Sequence, residues 1–128
     1  DDMGSGSGSV YVYRWNGSTW GEKKLTASDG VAGDGLGNSV SVSADGNTIA
    51  VGTPWNDVRG TDSGAAYVFR WNGSMWAETK LSAGDGSGND RFGHRVAVSA
   101  DGATVAVGAH WDDVGSNSNQ GSVWVFAE

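Results

Sequence analysis

The sequence predicts an all-β chain of antiparallel four-stranded β-propeller blades in tandem, a partial propeller of about two and a quarter blades. Three observations carry this. "WNGSTWGEKKL", starting at Trp15, is rewritten as "WNGSMWAETKL" from Trp71, 56 residues later; a period of this order marks one supersecondary unit copied in tandem. Aligned without a gap, residues 15–58 and 71–114 are identical at 26 of 44 positions. Each unit holds four short apolar runs separated by Gly, Asn and Asp, and four antiparallel strands per period is the arithmetic of a blade.

Along the chain, the first run is Val10–Trp15, the third strand of a unit, repeated at residues 66–71 and 123–126. The fourth strand, Trp20–Leu25, returns as Trp76–Leu81. Between them "WNGSxW" reads as a hairpin turn, because Asn-Gly supplies the positive φ angles of a tight primed turn. A four-residue loop then sets Trp15 against Trp20 and Trp71 against Trp76, a clamp of roughly 0.2–1 kcal/mol per pair. The first strand is "NSVSVS" at residues 38–43 and "HRVAVS" at 94–99, alternating with period 2. An "ADG" turn leads to the second strand, "TIAVG" at 48–52 and "TVAVG" at 104–108. Those continuous small apolar runs suit a strand covered on both faces. Residues 2–13 match 57–69 with one residue fewer. The division is therefore 1–25, a partial blade of third and fourth strands; 26–81, a complete blade; and 82–128, a partial blade of first to third strands. Val40, Val42, Ile49, Val51, Val96, Val98, Val105 and Val107 are expected in the core, with Leu36 and Phe92 in equivalent sites between blades.

Composition narrows the function. A net charge of −7 argues against nucleic acid and against an anionic membrane surface. No apolar run approaches 18 residues, so no span is expected. The absence of Cys excludes disulfides, thiolate metal sites and Cys nucleophiles. The start at Asp1 and Asp2 reads as a mature or excised piece of a longer chain.

Phe92-Gly93 precedes Gly108-Ala109-His110, and Leu36-Gly37 precedes Gly52-Thr53-Pro54. This pattern resembles the FG-GAP repeat, the blade unit of integrin α-chain propellers and of many extracellular propeller proteins. The resemblance covers the whole chain and implies an extracellular location, secreted or at the cell surface. It departs at Leu36, where the family has Phe, and at His110, where it has Pro. The integrin-type Asp-x-Asp-x-Asp-Gly calcium loop is also absent. The matching positions are Ser41, Ser43 and Asp45, then Ala97, Ser99 and Asp101, and one carboxylate cannot supply six to eight oxygens. Asp45 and Asp101 are expected to be turn formers.

Strand alternation sends the short "ADG" and "NGS" turns to one end of a blade and the long loops at 26–37, 53–65, 82–93 and 109–122 to the other. Ten of the twelve Asp fall in the long loops or, as Asp1 and Asp2, in the partial copy of one. Two readings compete. In one, these Asp tie Gly-rich loops through local turns and the Trp fill gaps. In the other, the face binds calcium, a glycan or a protein. Calcium would use Asp85, Asn89 and Asp90, with Asp29 and Asp34 as the echo. A ligand face would use Trp55, Asp57, Trp111, Asp112 and Asp113. Asn16 and Asn72 stand in Asn-X-Ser sequons, open to N-glycosylation in a eukaryotic secretory pathway, although the turn alone explains them. No nucleophile triad, phosphate loop or zinc pattern stands out, so the expectation is not an enzyme. It is a non-catalytic extracellular structural or interaction module, a segment of a larger propeller. The alternative is a lectin-like carbohydrate-binding module. Partners would be a protein or glycan at the long-loop face, and further blades of the same parent chain or other subunits.

Overall fold

The structure, a computed structural model, describes residues 3–128. Nine strands are present among them and no helix: β1 (Val10–Trp15), β2 (Trp20–Leu25), β3 (Ser39–Val42), β4 (Thr48–Thr53), β5 (Ala65–Trp71), β6 (Trp76–Leu81), β7 (Phe92–Val98), β8 (Thr104–Ala109) and β9 (Ser122–Ala127). They form three antiparallel sheets in the orders β1-β2, β3-β4-β5-β6 and β7-β8-β9. The middle sheet is the complete meander that the repeat predicts, and the outer two carry its third–fourth and first–third strands.

Turn chemistry fixes the registers. Asn16 Oδ1 accepts from the backbone N–H of Ser18 and of Thr19, each at 2.9 Å. Asn72 does the same for Ser74 and Met75 at 3.0 and 2.9 Å. Each Asn thus closes a local turn with its own side chain. Trp15 pairs with Trp20 and Trp71 with Trp76 in the ladder, with ring centroids 5.4 and 5.5 Å apart. In the "ADG" turns, Asp45 Oδ1 accepts from Ser43 Oγ at 2.6 Å and from Asn47 N at 2.9 Å. Asp101 repeats this with Ser99 Oγ at 2.6 Å and Ala103 N at 3.0 Å. The Ser hydroxyls lead in holding both carboxyls below the usual range.

Two cores lie between the sheets. Val10, Leu25, Leu36, Ile49, Val51, Tyr67 and Phe69 fill the first. Ala50, Ala66, Val68, Phe92, Val105 and Val107 fill the second. Alternate residues of β4 and β5 therefore face opposite cores, as period 2 requires. Leu36 and Phe92 are buried in the two cores, as expected from their shared position.

One expectation fails. Val40 and Val42 are 50% and 57% exposed, and Val96 and Val98 are half-buried. Val40 and Val42 pair with Val51 and Ile49, and so share their face toward the first sheet. That sheet has only β1 and β2, and β1 leaves an open gap between residues 12–15 and Val42. Among the described residues no further strand packs over β3 on that face. Val96 and Val98 have β3 and β4 over them and are partly shielded.

Candidate functional site

The long connections, 26–38, 54–64, 82–91 and 110–121, are stitched together backbone to backbone. Gly35 N donates to Gly6 O and Leu36 N to Ser7 O, both at 2.9 Å. One unit later, Asn89 N donates to Thr61 O at 2.8 Å, Arg91 N to Asp62 O at 3.1 Å and Phe92 N to Ser63 O at 2.9 Å. These are short parallel seams, with Gly8 bridging Leu36 and Gly64 bridging Phe92. The approach leaves no room for a side chain. A Cβ on Gly64 would lie 2.1 Å from the Phe92 carbonyl oxygen, and one on Gly93 would lie 2.1 Å from that of Ala65. Both glycines also have positive φ, 85° and 90°. At the opposite strand ends, Ala44 N donates to Ala100 O at 2.9 Å and joins the "ADG" turns of successive units.

Most carboxylates of the long connections are engaged within the chain. Asp34 is buried; its Oδ2 accepts from Val31 N at 2.9 Å and from Asn56 Nδ2 at 3.0 Å. Asp90, equally buried, accepts from Ser87 N at 2.6 Å. Asp112 accepts from the Ser122 hydroxyl. Asp57 accepts from Asp62 N at 2.8 Å, and Asp113 from Asn119 N at 2.7 Å. Asp29 bridges to the next β-sheet, accepting from Tyr67 Oη at 2.5 Å and pairing with Lys80 Nζ at 2.7 Å. Partial burial raises the Asp29 carboxyl, but the Lys80 and Tyr67 hydrogen bonds outweigh it and the net shift is downward. Burial first, then Asp29, pushes the Tyr67 phenol well above its ordinary value. Asp85 and Asn89 are exposed, and Asn89 has a φ of 70°. Among the described residues, no three or more His, Cys, Asp or Glu side chains come together as a metal site. Asp1 and Asp2 lie outside the described residues.

Trp55 and Trp111 hold matching places but have different companions. The ring of Trp55 lies on Gly35, where a Cβ would meet it at 2.5 Å. The equivalent of Gly35 is Arg91, whose guanidinium carbon sits 4.0 Å from the Trp111 ring centroid. His110, in the place of Pro54, lies 5.1 Å from Trp111 and 4.1 Å from His94, centroid to centroid. Burial, then the positive charge of His110, Arg95 and Arg91, lowers the His94 imidazole below its ordinary value. Among the described residues, no hydroxyl or carboxylate bonds either imidazole. Sequence reasoning gave Arg91 and Arg95 no role and found no catalytic spacing around His94. The available signal was that their counterparts, Gly35, Asn38 and Ser39, are all uncharged.

Tandem antiparallel sheets joined by glycine-lined seams define a repeat protein of the all-β class. The FG-GAP repeat model matches residues 20–69 and 76–126, most of the chain, and the protein belongs to the FG-GAP repeat family. Such repeats suggest an integrin-like propeller module, are typically non-catalytic, and occur generally in extracellular proteins. Comparison with curated proteins gives no significant match. Among the described residues, no helix is long and apolar enough to cross a membrane.

Proposed function

We propose that the chain is a non-catalytic structural and interaction module of an extracellular protein, a segment of a larger FG-GAP propeller. Its flanks meet further blades of the same parent chain or other subunits, and its long-loop face meets a partner. One observation carries this reading. Tyr67 and Phe69 are buried between sheets, whereas their counterparts Tyr11 and Tyr13 are about half exposed. Ala66 and Val68 are likewise buried, whereas Val123 and Val125 are 70% and 65% exposed. Side chains of one pattern are enclosed where a neighbouring sheet exists and bare where it does not, and bare apolar faces mark interaction surfaces. The test compares the chain with versions extended by one repeat at either end, using sedimentation and binding of an apolar dye. Extension is expected to raise the melting midpoint and reduce dye binding. A monomeric chain that binds no dye and gains nothing from extension would remove this reading.

A second reading, a lectin-like module, is favoured by Trp55 and Trp111, both partly exposed at equivalent positions of successive units. Selective hits on a glycan array, lost on Trp111→Ala, would support it.

A further inference from the structure

One groove among the outer strands is bounded on both sides by complete hairpins. It is an opening of about 470 Å³ between β1-β2 and β5-β6, within the roughly 300–1,000 Å³ of ligand clefts. One side is the β1-β2 face that carries Val12, Arg14, Lys23 and Leu25. The other is Trp71, Met75 and Trp76 of the next hairpin. Its apolar base joins the first core, to which Leu25 belongs and against which Val12 and Trp76 pack.

This opening is not the vacant place of another sheet. Alternation puts Tyr11, Tyr13 and Trp15 on the opposite face of β1, and a preceding unit would lie there. A following unit would lie beyond β7-β9. Strands completing the first sheet would pair with the inner edge of β1, as β4 pairs with β5, in the separate gap toward Val42 and Ile49.

The charge in the groove is the reverse of the chain's, which is −7. Arg14 is held in place: its Nη2 donates to Gly46 O at 2.7 Å and to Asn47 Oδ1 at 3.0 Å. Its guanidinium carbon lies 5.1 and 5.0 Å from the Trp71 and Trp76 ring centroids. Among the described residues, Arg14 Nε and Nη1 and Lys23 Nζ have no acceptor. Glu22 borders the groove but shares the far face of the hairpin with Tyr13, accepting from its Oη at 2.8 Å. In the next joint the counterpart of Arg14, Arg70, already has a carboxylate on it, that of Glu128 at 3.2 Å.

We propose that this groove docks an extended acidic segment of a partner protein. An aromatic or aliphatic side chain of that segment sits against Trp71, Met75 and Trp76, and a neighbouring carboxylate meets Lys23 and the free donors of Arg14. Trp, Met and Arg are the residues that interface cores favour, and buried aromatic anchors carry most of the energy. A guanidinium or ammonium group supplies charge-assisted hydrogen bonds to the carboxylate. The occupant is a peptide because β2 and β6 are the last strands of their sheets, which leaves outward main-chain groups for an added strand. The groove is separate from the long-loop face and gives the module a second interaction surface.

The test is selection of phage-displayed random heptapeptides on the immobilised full chain, then calorimetry of the enriched peptide. The library is first depleted on the Lys23→Thr, Met75→Thr double variant, which has the same bare flanks. Both changes write in the other unit's residues, Thr79 and Thr19, and so keep the hairpins. The expected enrichment is Asp or Glu beside Phe, Trp or Leu. Affinity should fall about tenfold for Lys23→Thr and about fivefold for Met75→Thr. It should weaken as salt rises, less steeply in Lys23→Thr. Asp113→Asn, on the long-loop face, should leave it unchanged. No enrichment, or a neutral or basic consensus, overturns the proposal, as does unchanged affinity in either variant. Oligoglutamate binding as tightly would mean charge alone, and decanoate binding as tightly would mean a lipid-like anion; either also overturns it. None of these outcomes bears on the reading of the bare flanks.

Discussion

Strands β4 and β8 are nearly the same six residues, TIAVGT and TVAVGA, yet they live in different surroundings. Every residue of β4 is buried. In β8 only Val105, Val107 and Ala109 are, and the residues between them are half-buried. The difference teaches that an all-apolar strand states a capacity for two covered faces. How much of that capacity is used depends on the sheets beside it. β4 has a sheet on either side; β8 has one. The same rule separates Tyr67 from Tyr11 and Val68 from Val125.

The largest expected effect lies at the seam that gives the middle sheet its second cover. Gly64→Ala should cost about 3–5 kcal/mol, from positive φ together with collision against the Phe92 carbonyl. Gly115→Ala, with similar φ but open space around it, should cost about 1 kcal/mol. Denaturant titration decides, and equal losses would mean the seam is not closed in solution. Next, Phe92→Ala should cost about 3–5 kcal/mol and Val68→Ala about 2 kcal/mol, while Val125→Ala should stay within about 0.5 kcal/mol. If Val125→Ala matched Val68→Ala at high protein concentration, another copy would be covering β9.

The two Trp clamps sharpen the comparison further. Arg14 lies 5.1 and 5.0 Å from the Trp71 and Trp76 rings, reaching from β1 across to the next sheet. Trp71→Ala should therefore cost about 0.5–1 kcal/mol more than Trp15→Ala in the same titration.

A smaller effect should follow pH. His94 titrates lower in the folded chain than in the unfolded one, so the unfolded state takes up the proton first as pH falls. Its contribution is present above the ordinary histidine value and is lost as pH falls through the lowered one. Melting midpoints measured from pH 7.5 to 5 should fall more steeply for the wild type than for His94→Asn, which carries the first unit's residue. Calcium should move the midpoint least. Asp34 and Asp90 are turned into their own loops and Asp29 already holds Lys80, so calcium and chelator should give the same curve. A rise in calcium that Asp90→Asn abolishes would place a cation there after all.

Much of the fold was legible because local chemistry and global pairing agree. Asn16 and Asn72 mark hairpin turns, Asp45 and Asp101 mark the next ones, and period 2 assigns the faces between them. Val40 and Val42 were misplaced because their alternation names a face without naming what lies against it. The loop carboxylates were legible as turn residues through spacing. Asp34 and Asp90 each cap the backbone three residues earlier, a pattern visible in sequence once the turn is suspected. The Arg91 cluster was not legible, because Trp111 looks like a copy of Trp55 until the residue lying on its ring is known. Phrases shared by the two units showed how a repeat is built, whereas the substitutions between them showed where one repeat has become particular.

The backbone seams have a mechanical consequence. Residues 61–64 and 89–92 run side by side in the same direction, held by main-chain bonds and closed by Gly64 and Gly93. Tension that slides one strip along the other loads all of those bonds at once, whereas tension across the joint would peel them apart in turn. Because the grip is made by main-chain atoms, its strength under load depends little on which side chains the neighbouring loops display. Loops so anchored are free to diverge in sequence without altering the joint itself.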